Sequence, residues 1–224
     1  SRTLGPARVR NAKPGVLITG GAGFIGSNIA DRLAKAGEQV IIFDALARDH
    51  VEENVDWLIG RHGDRVSFVS GDVRDPYAVQ EVVARASRVV HLAAQVAVTT
   101  SLADPRGDFA VNAGGTLNVL EAIRRRPTPI PLVFASTNKV YGHLETTAKL
   151  RATARRTDAL GRFARGFDES LALDFYSPYG CSKGAADQYV LDYARIYAIP
   201  AAVLRMSCIY GPRQFGTEDQ GWVA

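Results

Sequence analysis

At 224 residues, with 46% hydrophobic and 22% charged content, the chain is long enough to bury a full core as one large domain or one and a half small ones. Its net charge of +4 is spread over scattered arginines rather than a basic face interleaved with aromatics, which argues against a nucleic-acid partner. No apolar run approaches the roughly 20 residues of a membrane span, and two cysteines, Cys181 and Cys208, without metal-ligand spacing leave neither a disulfide framework nor a metal site. The expectation is a globular cytoplasmic protein with reduced thiols and no membrane partner, in which redox chemistry comes from a cofactor.

Residues 1–14 form a basic tail that lacks the apolar centre of a secretory signal. The first strand is read at Gly15-Val-Leu-Ile-Thr19, and it runs into glycines at 20, 23 and 26 and a helical pattern beginning near Phe24-Ile25. A tight strand-to-helix turn needs a residue free to take positive φ. A pyrophosphate on a helix N-terminus needs backbone without side chains, and close packing of helix on sheet needs a third missing side chain. The glycine triplet in this context predicts a dinucleotide site. The second strand, 39–43, ends at Asp44, where a carboxylate can accept both ribose hydroxyls of the adenosine half of NAD; a turn or helix cap is the alternative role. Arg48 keeps NADP open, because a guanidinium can take a 2′-phosphate. The Asp44 charge repels that group, so NAD is the expected cofactor.

Further apolar runs at 65–69, 88–92, 131–135 and 201–205 alternate with helical stretches, and strands without polar alternation are buried on both faces. The clearest helix opens at Asp104-Pro105, carries apolar positions from Phe109 to Ile123, and stops at Arg124-Arg-Arg126 before Pro127. Six such strands predict an α/β doubly wound parallel sheet over 15–206. Residues 142–177 break the rhythm as a long insertion, expected to cover a substrate. Its basic part, 149–165, reads as a solvated loop or as a contact to a diphosphate. Residues 207–224 carry no further element and are read as the start of a substrate-binding region.

Tyr179-Gly-Cys-Ser-Lys183 opens a helix running to about Ala198, and a spacing of four places phenol and ammonium on one face. A lysine cation beside a phenol lowers the phenol pKa toward the working range of a general base. Alone, such a pair is commonly surface decoration. After a dinucleotide fingerprint, and with the fifth strand ending in Ser136-Thr137, it reads as a hydride-transfer triad. Thr137 would hold the substrate oxygen, Tyr179 would move its proton and Lys183 would bind the nicotinamide ribose.

These features, with Asp72-Val73 after the third strand, His91-Leu-Ala-Ala-Gln95 after the fourth, Asn112 in the next helix and Ser136-Thr-Asn-Lys-Val-Tyr-Gly142, resemble the extended short-chain dehydrogenase/reductase superfamily. The resemblance is to its nucleotide-sugar epimerase and dehydratase branch and covers residues 15–222. Within that branch, Asn138-Lys139, the run from Phe175 to Tyr189, and Arg213-Gln-Phe with Asp219-Gln-Gly-Trp222 are similar to the CDP-paratose 2-epimerase family, also called CDP-tyvelose 2-epimerases. The resemblance implies a Rossmann fold followed by a further C-terminal portion that completes the substrate pocket, which this sequence does not include after Ala224.

It also implies Gly20, Gly23, Phe24, Ile25 and Gly26 at the pyrophosphate, Asp44 at the adenosine ribose, and Asp72 and Val73 at adenine. Leu92, Ala93, Ala94, Asn112 and Met206 would follow the cofactor, with Thr137, Tyr179 and Lys183 catalytic. Gln95, Val96, Thr137, Asn138, Lys139 and Cys208 would border the sugar, and Arg213 and Gln214 the nucleotide. Core packing is the alternative for Val96 and Met206, a turn for Asp72 and a solvated surface charge for Lys139. A 4,6-dehydratase of this branch carries Asp-Glu directly after the threonine, to remove a C5 proton and protonate the C6 oxygen. Asn138-Lys139 supplies neither carboxyl, which disfavours dehydration.

The implied reaction is epimerisation at C2 of a CDP-hexose, CDP-paratose to CDP-tyvelose, through a 2-keto sugar with NAD staying bound. A 4-epimerase or reductase on another nucleotide sugar stays open, as does a non-catalytic NAD-binding sensor or interaction module. A homodimer through segments 105–126 and 178–198 is implied by the same analogy.

Overall fold

The computed structural model describes residues 14–143, 150–152 and 157–216. The basic tail over 1–13, part of the 149–165 run and the Asp219–Trp222 motif lie outside the described residues. Six strands build the main sheet: β1 (Gly15–Thr19), β2 (Val40–Asp44), β3 (Val66–Ser70), β4 (Ala86–His91), β5 (Leu132–Thr137) and β8 (Ala201–Met206). Their order is β3-β2-β1-β4-β5-β8, with every pairing parallel. Strand order therefore reverses between β1 and β4, and the crevice at the carboxyl ends of these two strands is where such a sheet accepts a ligand.

Both faces of the sheet are covered, which is why its inner strands read as unbroken apolar runs. Val16, Ile18, Val40 and Ile42 pack under α1 (Phe24–Lys35) and α2 (Val51–His62), against Ala30, Ala34 and Leu58. Leu17, Val89, Leu132 and Phe134 face the other way, against α3 (Pro76–Ala84) through Val79 and Val83, and against the helices after β4 through Val119, Leu120, Ile123, Ala186 and Val190. Asp104 caps its helix as the proline-led start predicts, accepting from the Gly107 amide, and Asp75 caps α3 in the same way, accepting from the Tyr77 and Ala78 amides.

The helix expected to run unbroken from Pro105 is divided. After the short α4 (Val98–Ala103), α5 (Pro105–Phe109) passes through a π turn (Ala110–Gly114) into α6 (Gly115–Arg124). The π turn admits an extra residue, and it swings the Asn112 amide toward the β4 loop, where it donates to the Gln95 carbonyl and accepts from the Gln95 amide. The insertion at 142–177 also holds structure absent from the sequence reading, a small antiparallel ribbon of β6 (Leu150–Ala152) with β7 (Thr157–Ala159). α7 (Ser177–Tyr197) follows it and leads to β8. Among the described residues, no helix is long and apolar enough to cross a membrane, and no group of three or more His, Cys, Asp or Glu could hold a metal.

Candidate active site

A crevice of about 780 Å³ lies along the carboxyl ends of the strands. One part is walled by Asp44, Arg48, Asp72, Val73 and Arg74, and another by Thr137, Asn138, Lys139, Tyr179 and Lys183. Gly20, Gly23, Phe24, Ile25, Gly26, Leu92, Ala93 and Ala94 also line it, with Val96, Met206, Cys208, Arg213 and Gln214.

The three glycines differ in what stands over them. Gly20 has φ +68, and a Cβ on it would stand 2.7 Å from the Ala93 amide nitrogen. A Cβ on Gly26 would collide with the Gly20 carbonyl and the Gly21 backbone, so the third glycine lets α1 seat against the turn. Over Gly23 the nearest atom stands 3.3 Å from such a Cβ, leaving the start of α1 approachable. Asp44 is held by two backbone amides, Ala22 at 3.0 Å and Leu46 at 2.9 Å, and burial still pushes its carboxyl pKa upward. The Ala45 amide also acts on this carboxylate, which faces the crevice where a ribose hydroxyl would donate to it. Asp72 is spent on Arg74, accepting from the Arg74 amide at 2.8 Å and its guanidinium at 2.6 and 2.9 Å, and this pairing lowers its pKa. It therefore combines the turn role with a place in the crevice wall.

Thr137 ends β5 with its hydroxyl accepting from the Lys139 amide at 3.2 Å and within hydrogen-bonding reach of the Tyr179 phenol. Tyr179 and Lys183 share the inner face of α7, and both are buried. The Lys183 ammonium donates to the Ala135 carbonyl at 2.6 Å and lies 4.3 Å over the Phe134 ring. Burial pulls its pKa down from 10.5 to about 7, opposed by Asp187 and Asp108. The phenol does not behave as its spacing from Lys183 suggests. Burial raises the Tyr179 pKa, the Asp108 charge adds to the rise, and the Thr137 hydroxyl opposes both. The Lys183 ammonium is instead turned toward the Ala135 carbonyl.

Two expected contact residues stand behind the crevice rather than in its wall. Asn112 is 1% exposed and its amide is engaged by Gln95, Asp108 and Ser182. Gln95 donates its side-chain amide to the Ala97 carbonyl at 3.0 Å and buries its Oε1 without a partner. Arg213, expected beside a substrate nucleotide, holds its guanidinium 3.4 Å over the Trp57 ring of α2, and Asn54 donates to its carbonyl at 3.3 Å. A substrate contact there would have to give up that stacking. Asn138 reaches Ser207 across the mouth at 3.5 Å.

Three supporting residues, Asp108, Asp187 and Arg205, escaped the sequence reading. Ser136 donates to Asp187 at 2.7 Å, and Arg205 clamps the same carboxylate at 2.8 and 2.9 Å while donating to the Tyr141 hydroxyl at 2.7 Å, so β5, α7 and β8 meet in one buried network. Asp187 was reachable, since 179, 183 and 187 fall on one helical face. Asp108 and Arg205 carried no local signal.

Residues 17–220 match the family model described as GDP-mannose 4,6 dehydratase. The chain belongs to that family. It is 48% identical over 210 residues to CDP-paratose 2-epimerase of Salmonella typhi, covering 93% of this chain and 61% of that protein. Among solved structures of related enzymes, it resembles a UDP-glucose 4-epimerase of Thermus thermophilus in complex with NAD, at TM-score 0.71 and 36% identity, over 89% of this chain and 57% of that one. A UDP-glucose 4-epimerase of Thermotoga maritima with UDP-glucose gives TM-score 0.74 at 30% identity, over 93% and 60%. The chain thus spans about 60% of the length of these relatives of the GDP-mannose 4,6 dehydratase family.

Proposed function

We propose that this chain carries the cofactor site and proton-transfer groups of an NAD-dependent nucleotide-sugar 2-epimerase that interconverts CDP-paratose and CDP-tyvelose. The fit to NAD rests on the glycine cradle, on the amide-held Asp44 at the end of β2, and on a crevice joining that carboxylate to Tyr179 and Lys183. The likeness to CDP-paratose 2-epimerase supports the substrate class. The observation that carries the reaction class is local: Thr137 is followed by Asn138 and Lys139 in the crevice wall, where dehydration needs two carboxyls.

Thr137 fixes the sugar hydroxyl that Tyr179 deprotonates, and the phenol later returns that proton to the carbonyl oxygen once the keto sugar has presented its opposite face. Lys183 binds the nicotinamide ribose and offsets negative charge at the phenol. When bound, NAD supplies the hydride acceptor and donor, together with a cationic ring that favours the Tyr179 phenolate. Lys139 and Asn138 border the sugar. The exposed Cys181 and Cys208 thiols are unpaired, which suits a reducing cytoplasmic setting. A homodimer belongs to the proposal, because Phe109 on α5 and Tyr189, Leu191 and Ile196 on α7 present apolar surface.

The test is proton NMR of CDP-paratose incubated with the protein and no added NAD. Growth of an anomeric signal of the manno configuration is expected. Conversion of a UDP-sugar at C4 with no change in CDP-paratose would favour a 4-epimerase instead. Bound NAD without conversion of any nucleotide sugar would favour a binding module.

A further inference from the structure

The chain leaving β8 does not stay at its edge of the sheet. From Met206 it returns across the carboxyl ends of β5, β4 and β1 to reach α1 and α2, and Ile209, Arg213, Gln214 and Phe215 line the crevice on the way. Between Ser207 and Gly216 it forms neither helix nor strand, so side chains from the two helices hold it. Asn28 of α1 donates to the Pro212 carbonyl at 2.9 Å and to the Phe24 carbonyl at 2.8 Å. Asn54 of α2 is fully buried; it donates to the Arg213 carbonyl at 3.3 Å and to the Ala22 carbonyl, in the glycine turn, at 2.9 Å. Each amide thus ties this segment to the backbone that shapes the dinucleotide turn.

The side chains add a second anchor. The Arg213 guanidinium lies 3.4 Å over the Trp57 ring, and Trp57 is itself packed against the core under α2, which makes it a fixed platform. Arg213 has φ +68, a left-handed conformation that a residue with a side chain keeps only where its contacts hold it. One turn away, the Phe215 ring meets His50 at the start of α2, with centroids 5.8 Å apart. Gly211 lets the segment pass close to α1, since a Cβ there would stand 3.2 Å from the Phe24 ring. Among the described residues no hydrogen bond or ion pair occupies the Arg213 guanidinium. A planar cation with free donors, in the wall of a crevice that fits a diphosphate, suits an anionic ligand. Its anchors all belong to α1, α2 and the glycine turn, on the Asp44 side, whereas Thr137 and Tyr179 stand on β5 and α7.

We propose that residues 211–215 form a strap that retains NAD in the crevice, and that Trp57 is the positioning residue that seats it through Arg213. Arg213 then serves the dinucleotide and not the nucleotide of the substrate. The inference rests on the NAD reading above and supplies a physical reason for a cofactor that stays bound: it leaves only when the strap lifts from α2.

Two readouts test it. Protein loaded with NADH is chased with excess NAD, and the decay of NADH fluorescence gives the dissociation rate. Trp57→Leu and Arg213→Met each remove the stack and should raise that rate about tenfold, the order expected for one cation–π contact, whereas Trp57→Phe keeps a ring face and should stay within about threefold of the wild type. Without cofactor, trypsin cleavage after Arg213 is followed by mass spectrometry relative to cleavage after the exposed Arg195 of α7, a ratio that loss of overall stability would not raise. That ratio should rise in Trp57→Leu and not in Trp57→Phe. An unchanged ratio in Trp57→Leu overturns the proposal. So does wild-type NADH release from Arg213→Met; a raised KM for CDP-paratose in that same variant would return Arg213 to the substrate. Wild-type protein that holds no NADH would overturn the NAD reading and the strap with it, whereas NADH held and released at one rate by every variant overturns the strap alone.

Discussion

In the proposed reaction Tyr179 loses a proton in a place where burial resists ionisation. The residue is therefore a base only when positive charge gathers around it, and Lys183 is the protein's own contribution. Replacing Tyr179 with Phe keeps the packing and removes the proton carrier, so the epimerisation rate, followed by NMR, should fall on the order of 10²-fold or more with little change in fold. A wild-type rate in that variant would remove Tyr179 from the mechanism. Gly26 is constrained by contact rather than chemistry. Gly26→Ala would drive a methyl into the Gly20 carbonyl, and it should cost about 1–3 kcal/mol and lower the nucleotide content of the purified protein, read by thermal denaturation and absorbance. Unchanged content and melting temperature would mean that the turn yields more easily than its backbone contacts suggest.

At the scale of elements, the active-site helix is fixed by charge as much as by apolar packing. Asp187 is fully buried and its partner Arg205 comes from the edge strand β8, so removing one partner strands the other. Arg205→Met should destabilise the protein by about 3–5 kcal/mol in urea denaturation. A loss below about 1 kcal/mol would mean that water replaces the guanidinium. The six strands, the glycine turn and the placement of Tyr179 and Lys183 on one face of α7 were legible in sequence because each rests on local pattern: apolar runs, glycine spacing, an i to i+4 pair. The π turn was not, because its cause is a tertiary bond between Asn112 and the Gln95 backbone, seventeen positions away. The stacking of Arg213 was hidden for a similar reason. Nothing in its neighbourhood announces that Trp57 on α2 will lie beneath its guanidinium, and the raised Tyr179 pKa depends on burial that spacing does not report.

For the whole molecule, acid should act through carboxylates whose folded pKa values are depressed. Glu121 is bound by Arg124 and by the Tyr193 hydroxyl across the α6–α7 packing, which brings its pKa down from 4.5 to about 2. Its contribution to stability is complete above pH 4.5 and is lost as pH falls toward 2. Urea midpoints measured from pH 6 to pH 3 should therefore fall less steeply for Glu121→Gln than for the wild type, and parallel curves would show that the bond adds nothing. The largest claim is that one crevice takes a sugar C2 hydrogen and gives it back. The measurement that tests it most directly uses CDP-paratose deuterated at C2, with the epimerised product read by NMR and mass. Deuterium retained at C2 of the inverted sugar is the predicted result, whereas complete exchange with solvent would contradict direct return.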